Sequence, residues 1–201
     1  MTTLTPILII VSAPSGAGKT TLCERLLAEF PEMVYSVSCT TRAPRGEEVD
    51  GRDYCFLSDD EFATRVEHDD FLEHAVVHGH HYGTLRESVG SAMRNGQSVL
   101  MDIDVQGAAQ VREALLAAGS DDPTGGHWVD IFISPPSLEA LRERLEGRGE
   151  DAPEVIEGRL KNAGAEMARA SEYRYTVIND DLDEAYTHLH GIVVREAGGE
   201  S

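Results

Sequence analysis

The residues Ala13 to Thr21, APSGAGKTT, follow directly on the apolar stretch around ILIIV at 7–11. Gly16 and Gly18 let a backbone curl until several N–H groups face one anion, and a helix start adds its dipole. Lys19 is set to reach the β- and γ-phosphates of a nucleotide, and the Thr20 hydroxyl to sit on Mg²⁺. The phosphate-loop pattern GxxxxGK[ST] is met at Gly18, Lys19 and Thr20, while Ala13 replaces its first glycine. The order strand, glycine-rich turn, helix supports the pattern despite that departure. Ala13, Pro14, Ser15, Gly16, Ala17, Gly18, Lys19, Thr20 and Thr21 are therefore read as a cradle for a nucleoside triphosphate. The competing reading is an ordinary glycine-rich turn, which gives no reason for Lys-Thr at the helix start.

Two further clusters carry charge. The stretch YSVSCTTRAPRGEEVDGRDYCF, 35–56, gathers Arg42, Arg45 and Arg52 beside Thr40, Thr41 and Tyr54, in a chain of formal net charge −19. Guanidinium forks match phosphate oxygens, and a local cluster acts within a Debye length of about 8 Å whatever the total charge. Downstream, VLMDIDVQG ends a strand with Asp102 and Asp104. Carboxylates at the carboxyl end of a parallel strand face the ligand crevice, where they can hold Mg²⁺ through water or orient an acceptor. Asp104 has a second reading, as a helix N-cap. Asp102 lies inside the strand pattern, where a cap is harder to place.

The elements that must position these residues alternate. ILIIV (7–11), VLMDI (99–103), WVDIFIS (128–134) and YTVIN (175–179) read as buried strands. Between and after them, helical spacing joins Leu22, Leu26 and Phe30; Ala108, Val111, Leu115 and Ala118; Leu138, Leu141 and Leu145; Ile156, Leu160, Ala163 and Met167. A final stripe runs through Leu182, Ala185, Tyr186, Leu189, Ile192 and Val193. Such alternation predicts a parallel sheet with helices on both faces. Residues 34–84 break the rhythm with short strand-like pieces around a helix opened by a Ser58–Glu61 capping box, which reads as an inserted lobe. GRGEDAPEV, 147–155, is a second break that suits a mobile lid, with Asp151, Pro153 and Glu154 opening the next helix. The loop 118–126 receives no function, and the terminal AGGES is expected to be disordered.

Composition narrows the classes. No stretch approaches the roughly 20 apolar residues of a membrane span. ILIIV is too short for a signal-peptide core and lacks a basic leader. Strong acidity argues against general nucleic-acid binding. Cys23, Cys39 and Cys55 are odd in number and lack CxxC spacing, which points to a reducing cytoplasm rather than to a disulfide framework or zinc site. Oligomeric state has no signal in the sequence.

The segments SAPSGAGKTT, VSCTTRAPRGEEVDGRDY, FLEHAVVHGHHYGT, DIDVQGA, RLEGRG and VINDDLDEA stand in the order seen in guanylate kinases. From about residue 7 to 194 the chain resembles that family. The resemblance implies an α/β fold: a P-loop NTPase core with a parallel sheet, an inserted mixed α+β GMP-binding lobe and a small helical lid. The core would take 1–33, 87–147 and 160–195, the lobe 34–86, the lid 148–159 and the tail 196–201. It implies that Arg42 and Arg45 grip the GMP phosphate with the hydroxyls of Tyr54 and Tyr82, and that Glu48 supports them. It implies further that Glu73 and Ser38 read the guanine edge, with Thr84 supporting the base, Gly83 among the substrate-binding positions and Asp102 near the acceptor. Judged by spacing alone, Glu73 would be a surface glutamate on an edge strand. Arg148 and Arg159 match the lid arginines that reach both nucleotides, and Asn179 matches a position near adenine. Arg142 and Arg144 lie on the helix before the lid, either at the ATP end or solvated. Arg52 matches no binding position and reads as a surface charge. Cys39 and His80-His81 depart from the commonest form; the histidines read as lobe surface, not a metal site.

The resemblance implies Mg²⁺-dependent transfer of the γ-phosphoryl of ATP to GMP and dGMP. The rival from another class is a catalytically inactive guanylate-kinase-like protein-binding module. Lys19, Thr20, Arg148 and Arg159 together favour the enzyme. A kinase for another nucleotide would not need Glu73 with Ser38, and a GTPase switch lacks its Asn-Lys-x-Asp motif here.

Overall fold

The computed structural model describes residues 5–77, 79–119, 126–149 and 151–198. In chain order, strand β1 (Leu8–Ser12) leads into helix α1 (Lys19–Glu29). β2 (Val34–Tyr35), β3 (Cys39–Thr40) and β4 (Cys55–Phe56) follow, then α2 (Asp59–Glu67), β5 (Phe71–Val77), β6 (His80–Leu85) and α3 (Arg86–Arg94). β7 (Val99–Asp102), α4 (Val105–Ala118), β8 (Trp128–Ser134), α5 (Leu138–Arg148), α6 (Pro153–Met167), β9 (Tyr175–Ile178) and α7 (Leu182–Glu196) complete the chain. Among the described residues no helix is long and apolar enough to cross a membrane.

The core sheet runs β2-β7-β1-β8-β9, and every pairing in it is parallel. β1 sits at its centre and every residue of β1 is buried. Ile9 and Val11 pack with Leu22 and Leu26 of α1 and Leu189 and Val193 of α7. Leu8 and Ile10 pack on the other face with Val89 of α3 and Val111 and Leu115 of α4. Burial on both faces is why this strand reads as an unbroken apolar run, and each such side chain contributes about 1.5–3 kcal/mol. A third cluster, Leu141, Leu145, Ile156, Leu160 and Ala163, joins α5 to α6.

The inserted lobe has its own sheet, β4-β3-β6-β5, in which β3 and β4 are parallel and the other pairings antiparallel. Cys39, Phe62 and Phe71 form its small core, with the two phenylalanine rings stacked at 4.5 Å. The capping box at Ser58 is formed: its hydroxyl accepts the Glu61 N–H at 3.2 Å and Glu61 accepts the Ser58 N–H at 2.8 Å.

Several boundaries differ from the sequence reading. Val34 and Tyr35 extend the core sheet beside β7, because the N–H groups of Val34 and Ser36 find the Ser98 and Leu100 carbonyls, both at 2.9 Å. The second sheet thus begins at Cys39 rather than at 34. Pro153 opens α6 but the cap position falls on Ala152, leaving Asp151 free to meet Arg159. α7 continues to Glu196 and Ala197 is buried, while residues 199–201 of the expected tail lie outside the described residues, as do 120–125 of the 118–126 loop.

Candidate active site

The turn after β1 takes the shape its glycines allow. Gly16 and Gly18 have φ of 91° and 89°, the left-handed region that side chains resist. Gly16 also lies under α5, where a Cβ would fall 3.0 Å from both Leu141 and Leu145. The Ala17 N–H donates to the Pro14 carbonyl at 3.0 Å and closes the turn. Ser15, Thr20 and Thr21 are exposed, while Ala13 is half-buried and Pro14 buried. Lys19 is the first residue of α1. Its ammonium ion-pairs with Asp102 at the end of β7 and donates to the Ile103 carbonyl at 3.5 Å.

Asn179, expected near adenine, lies beneath this turn. It is 4% exposed, and its amide donates to the Ala17 carbonyl at 2.7 Å. Its own carbonyl accepts from Arg144 at 2.8 Å, and that guanidinium reaches the Asp180 carbonyl at 3.2 Å. As found, Asn179 holds the phosphate loop rather than offering its amide outward.

In the lobe, Arg42 is only 6% exposed. Its guanidinium meets Glu48 through two bonds of 2.9 Å, donates to the Tyr82 hydroxyl at 3.2 Å and to the Ala43 carbonyl at 2.8 Å, and lies 5.1 Å from the Tyr54 ring centre. Glu48 also accepts the Arg45 N–H at 2.7 Å, so one carboxylate fixes both arginine positions. The bonds from Arg42, then that from Arg45, hold the Glu48 carboxyl below its ordinary range. Tyr54 and Tyr82 stand edge to face at 6.0 Å. Arg52 is 67% exposed and pairs with Asp53 at 2.8 Å, a surface charge as its lack of a match implied.

Glu73 is not an exposed edge-strand glutamate. β5 changes register between Phe71 and Glu73, and this bulge leaves Phe71, Leu72 and Glu73 all buried in succession. Phe71 enters the lobe core and Leu72 the main core. The Glu73 carboxylate, 7% exposed as a residue, accepts the Thr84 hydroxyl at 2.8 Å. Burial pushes its carboxyl upward, the nearby Asp104 charge adds to this, and the Thr84 bond opposes it. Asp104 is indeed the N-cap of α4, accepting the Gln106 and Gly107 N–H groups at 2.9 and 2.7 Å. Asp102 points instead to Lys19. Gln110, which carried no signal in the sequence, pairs with the His74 backbone through bonds of 3.1 and 3.0 Å and ties α4 to β5. Ser38 is half-buried at the entry to β3, with its carbonyl accepting the Cys55 N–H at 2.9 Å. Gly83 is buried for a packing reason: a Cβ there would fall 2.9 Å from the Glu73 carbonyl oxygen.

Between α5 and α6, Arg159 pairs with Asp151 at 3.2 Å. Arg142 pairs with Glu157 at 2.6 Å. The side chain of Arg148 lies outside the described residues. His81 packs its ring 5.1 Å from Phe62, and among the described residues no three His, Cys, Asp or Glu gather as a metal cluster.

The guanylate kinase family model matches residues 5–196. A guanylate kinase of Maricaulis maris (strain MCS10) is 47% identical over 190 residues, 94% of this chain and 83% of that protein. Another, of Caldanaerobacter subterraneus subsp. tengcongensis, is 44% identical over 94% of this chain and 87% of its own. The chain belongs to the guanylate kinase family. A crystal structure of guanylate kinase from Anaplasma phagocytophilum resembles it with a TM-score of 0.69 and 32% identity, covering 98% of this chain and 89% of that one. As a guanylate kinase family member, the chain is a nucleotide-binding transferase of the kinase class. The family match spans both sheets, the phosphate loop and the α5–α6 pair.

Proposed function

We propose that the chain transfers the γ-phosphoryl group of ATP to GMP, and to dGMP, giving ADP and GDP. The observation that carries this reading is the buried Glu73 carboxylate, bonded by Thr84 in a lobe joined to a phosphate-loop core. Guanine offers N1–H and N2–H₂ as adjacent donors, which one carboxylate accepts together, and O6 as an acceptor for the Ser38 hydroxyl. Adenine would set a lone pair against Glu73. Sites built on such polar pairing discriminate by about 10⁴ to 10⁵.

The acceptor phosphate is already ionised at neutral pH, so no strong general base is required. Alignment and charge neutralisation do the work. Arg42, Arg45, Tyr54 and Tyr82 hold the acceptor phosphate. The phosphate-loop N–H groups and Lys19 hold the donor, and Asp102 aligns Lys19 near the acceptor. Arg148 and Arg159 bring positive charge to the transferring group when the lobe (34–86) and lid (148–159) close and exclude water. Thr20 is exposed, and Asp102 pairs with the adjacent Lys19; the Thr20 hydroxyl and the Asp102 carboxylate are hard oxygen donors, which fits Mg²⁺ completed by phosphate and water. Bound there with ATP, Mg²⁺ would neutralise β- and γ-phosphate charge. A cytoplasmic location belongs to the same proposal.

The test is coupled ADP release with ATP and Mg²⁺, offering GMP, dGMP, AMP, UMP, CMP and dTMP separately. Release with GMP and dGMP alone is expected. Release with another acceptor overturns the base assignment. A folded chain that binds GMP without release favours the protein-binding module.

A further inference from the structure

We infer that Gly107 is a specificity-determining position: its missing side chain is what allows the Glu73 carboxylate to sit against the first turn of α4. This rests on the guanine reading of Glu73. Gly107 lies inside α4 and is not among the glycines of positive φ, so the backbone there is open to any residue. What the position uses is space. A Cβ on Gly107 would fall 3.0 Å from Glu73 Oε2, 3.4 Å from the carboxyl carbon and 3.5 Å from Asp104 Oδ1.

Three other helical glycines differ. Gly147, Gly158 and Gly191 would each carry a Cβ into open space. A glycine inside a helix costs about 1 kcal/mol relative to alanine. At Gly107 that cost coincides with a close approach to a buried carboxylate.

Glu73 has little freedom to retreat. One oxygen is held by Thr84 at 2.8 Å. On the α4 side, Gln110 lies one turn beyond Gly107 and clamps the neighbouring residue His74 by two bonds, of 3.1 and 3.0 Å. The face made by Asp104, Gly107 and Gln110 therefore sets the depth and direction of the selector. Gly107 is a positioning residue, since it acts through Glu73.

The experiment compares Gly107→Ala, Gly191→Ala, Glu73→Ala and the double variant Gly107→Ala with Glu73→Ala. Melting temperatures are measured without nucleotide. Affinities are measured calorimetrically for GMP and for inosine monophosphate, which keeps N1–H and O6 but lacks the 2-amino group. Gly191→Ala gives the helix-propensity gain alone. Gly107→Ala is expected to weaken GMP binding about tenfold, as misplaced site groups do, and to lower the preference for GMP over inosine monophosphate. It is expected to gain less thermal stability than Gly191→Ala. In the Glu73→Ala background both differences should vanish.

The inference is overturned if Gly107→Ala matches Gly191→Ala in the wild-type background, or if its effects persist undiminished without Glu73. Should Gly107→Ala fail to fold, recovery by Glu73→Ala upholds the contact and continued failure overturns it. A wild-type chain with no preference for GMP would sink the guanine reading, yet the melting temperatures would still decide the contact between positions 107 and 73.

Discussion

Arg42 and Glu48 form a two-pronged ion pair, both N–O separations being 2.9 Å, beneath the turn that carries Arg45. With the bonds to Tyr82 and the Ala43 carbonyl, four of the five guanidinium N–H groups are committed within the protein. Glu48 thus holds the fork in place and limits what it can offer a phosphate. Glu48→Ala is expected to raise the KM for GMP about tenfold, the scale of one charge-assisted bond, with the KM for ATP unchanged. Steady-state kinetics with each nucleotide varied in turn would check this; equal rises in both constants would remove Glu48 from the acceptor site.

On the proposed guanine reading, Glu73 should make GMP binding sensitive to pH. Burial first, then Asp104, raise its carboxyl above the ordinary value. Lowering the pH should protonate Glu73 before ordinary surface glutamates and remove the acceptor for both guanine donors, so GMP affinity should fall. Calorimetry between pH 7 and 4 should show that fall in the wild type and a flatter profile in Glu73→Gln.

The same shift has a signed effect on folding. A folded-state pKa above the unfolded one favours the fold at low pH, and that contribution is lost as pH rises through the folded value. Glu73→Gln should therefore gain stability relative to wild type at pH 7, with the gap closing towards pH 4. A gap that widens on acidification would contradict the direction of the shift.

Asp102 aligns Lys19 through their ion pair at the end of β7. Asp102→Asn should lower kcat about 100-fold, the scale of losing one well-placed electrostatic group, while far-UV circular dichroism stays unchanged. An unaffected kcat would leave Asp102 without a part in the transfer step.

Asn179 holds the Ala17 carbonyl rather than facing outward. Asn179→Ala should then weaken ATP and GTP binding in the same proportion, since on the proposed reading the loop serves any nucleotide's phosphates. A loss confined to ATP would restore the adenine contact that the resemblance implied.

Cys23 and Cys39 are buried, and burial pushes both thiols up to about 12. At pH 8 a disulfide reagent such as dithionitrobenzoate should leave both untouched in the native protein and modify them on unfolding. Rapid reaction of all three cysteines in the folded state would contradict their burial.

Local patterns determined much of this protein. The strand, turn and helix around Gly16, Gly18 and Lys19 follow from nearest-neighbour chemistry: an apolar run, glycines that accept positive φ, and a cationic side chain at a helix start. The Ser58 capping box and the N-cap at Asp104 are equally local, since their partners lie within three residues. Burial of β1 on both faces was legible as a continuous apolar run. What the tertiary structure alone decided depends on residues far apart in sequence. The bulge before Glu73 buries a carboxylate that spacing would leave exposed on an edge strand, because α4 and β6 approach β5 from two sides. The turn of Asn179 beneath Ala17, the pairing of Val34 with Val99, and the gap that Gly107 leaves for Glu73 have no local signature. Each is set by how separate elements pack, and periodicity along one segment carries no information about the neighbour that segment will meet.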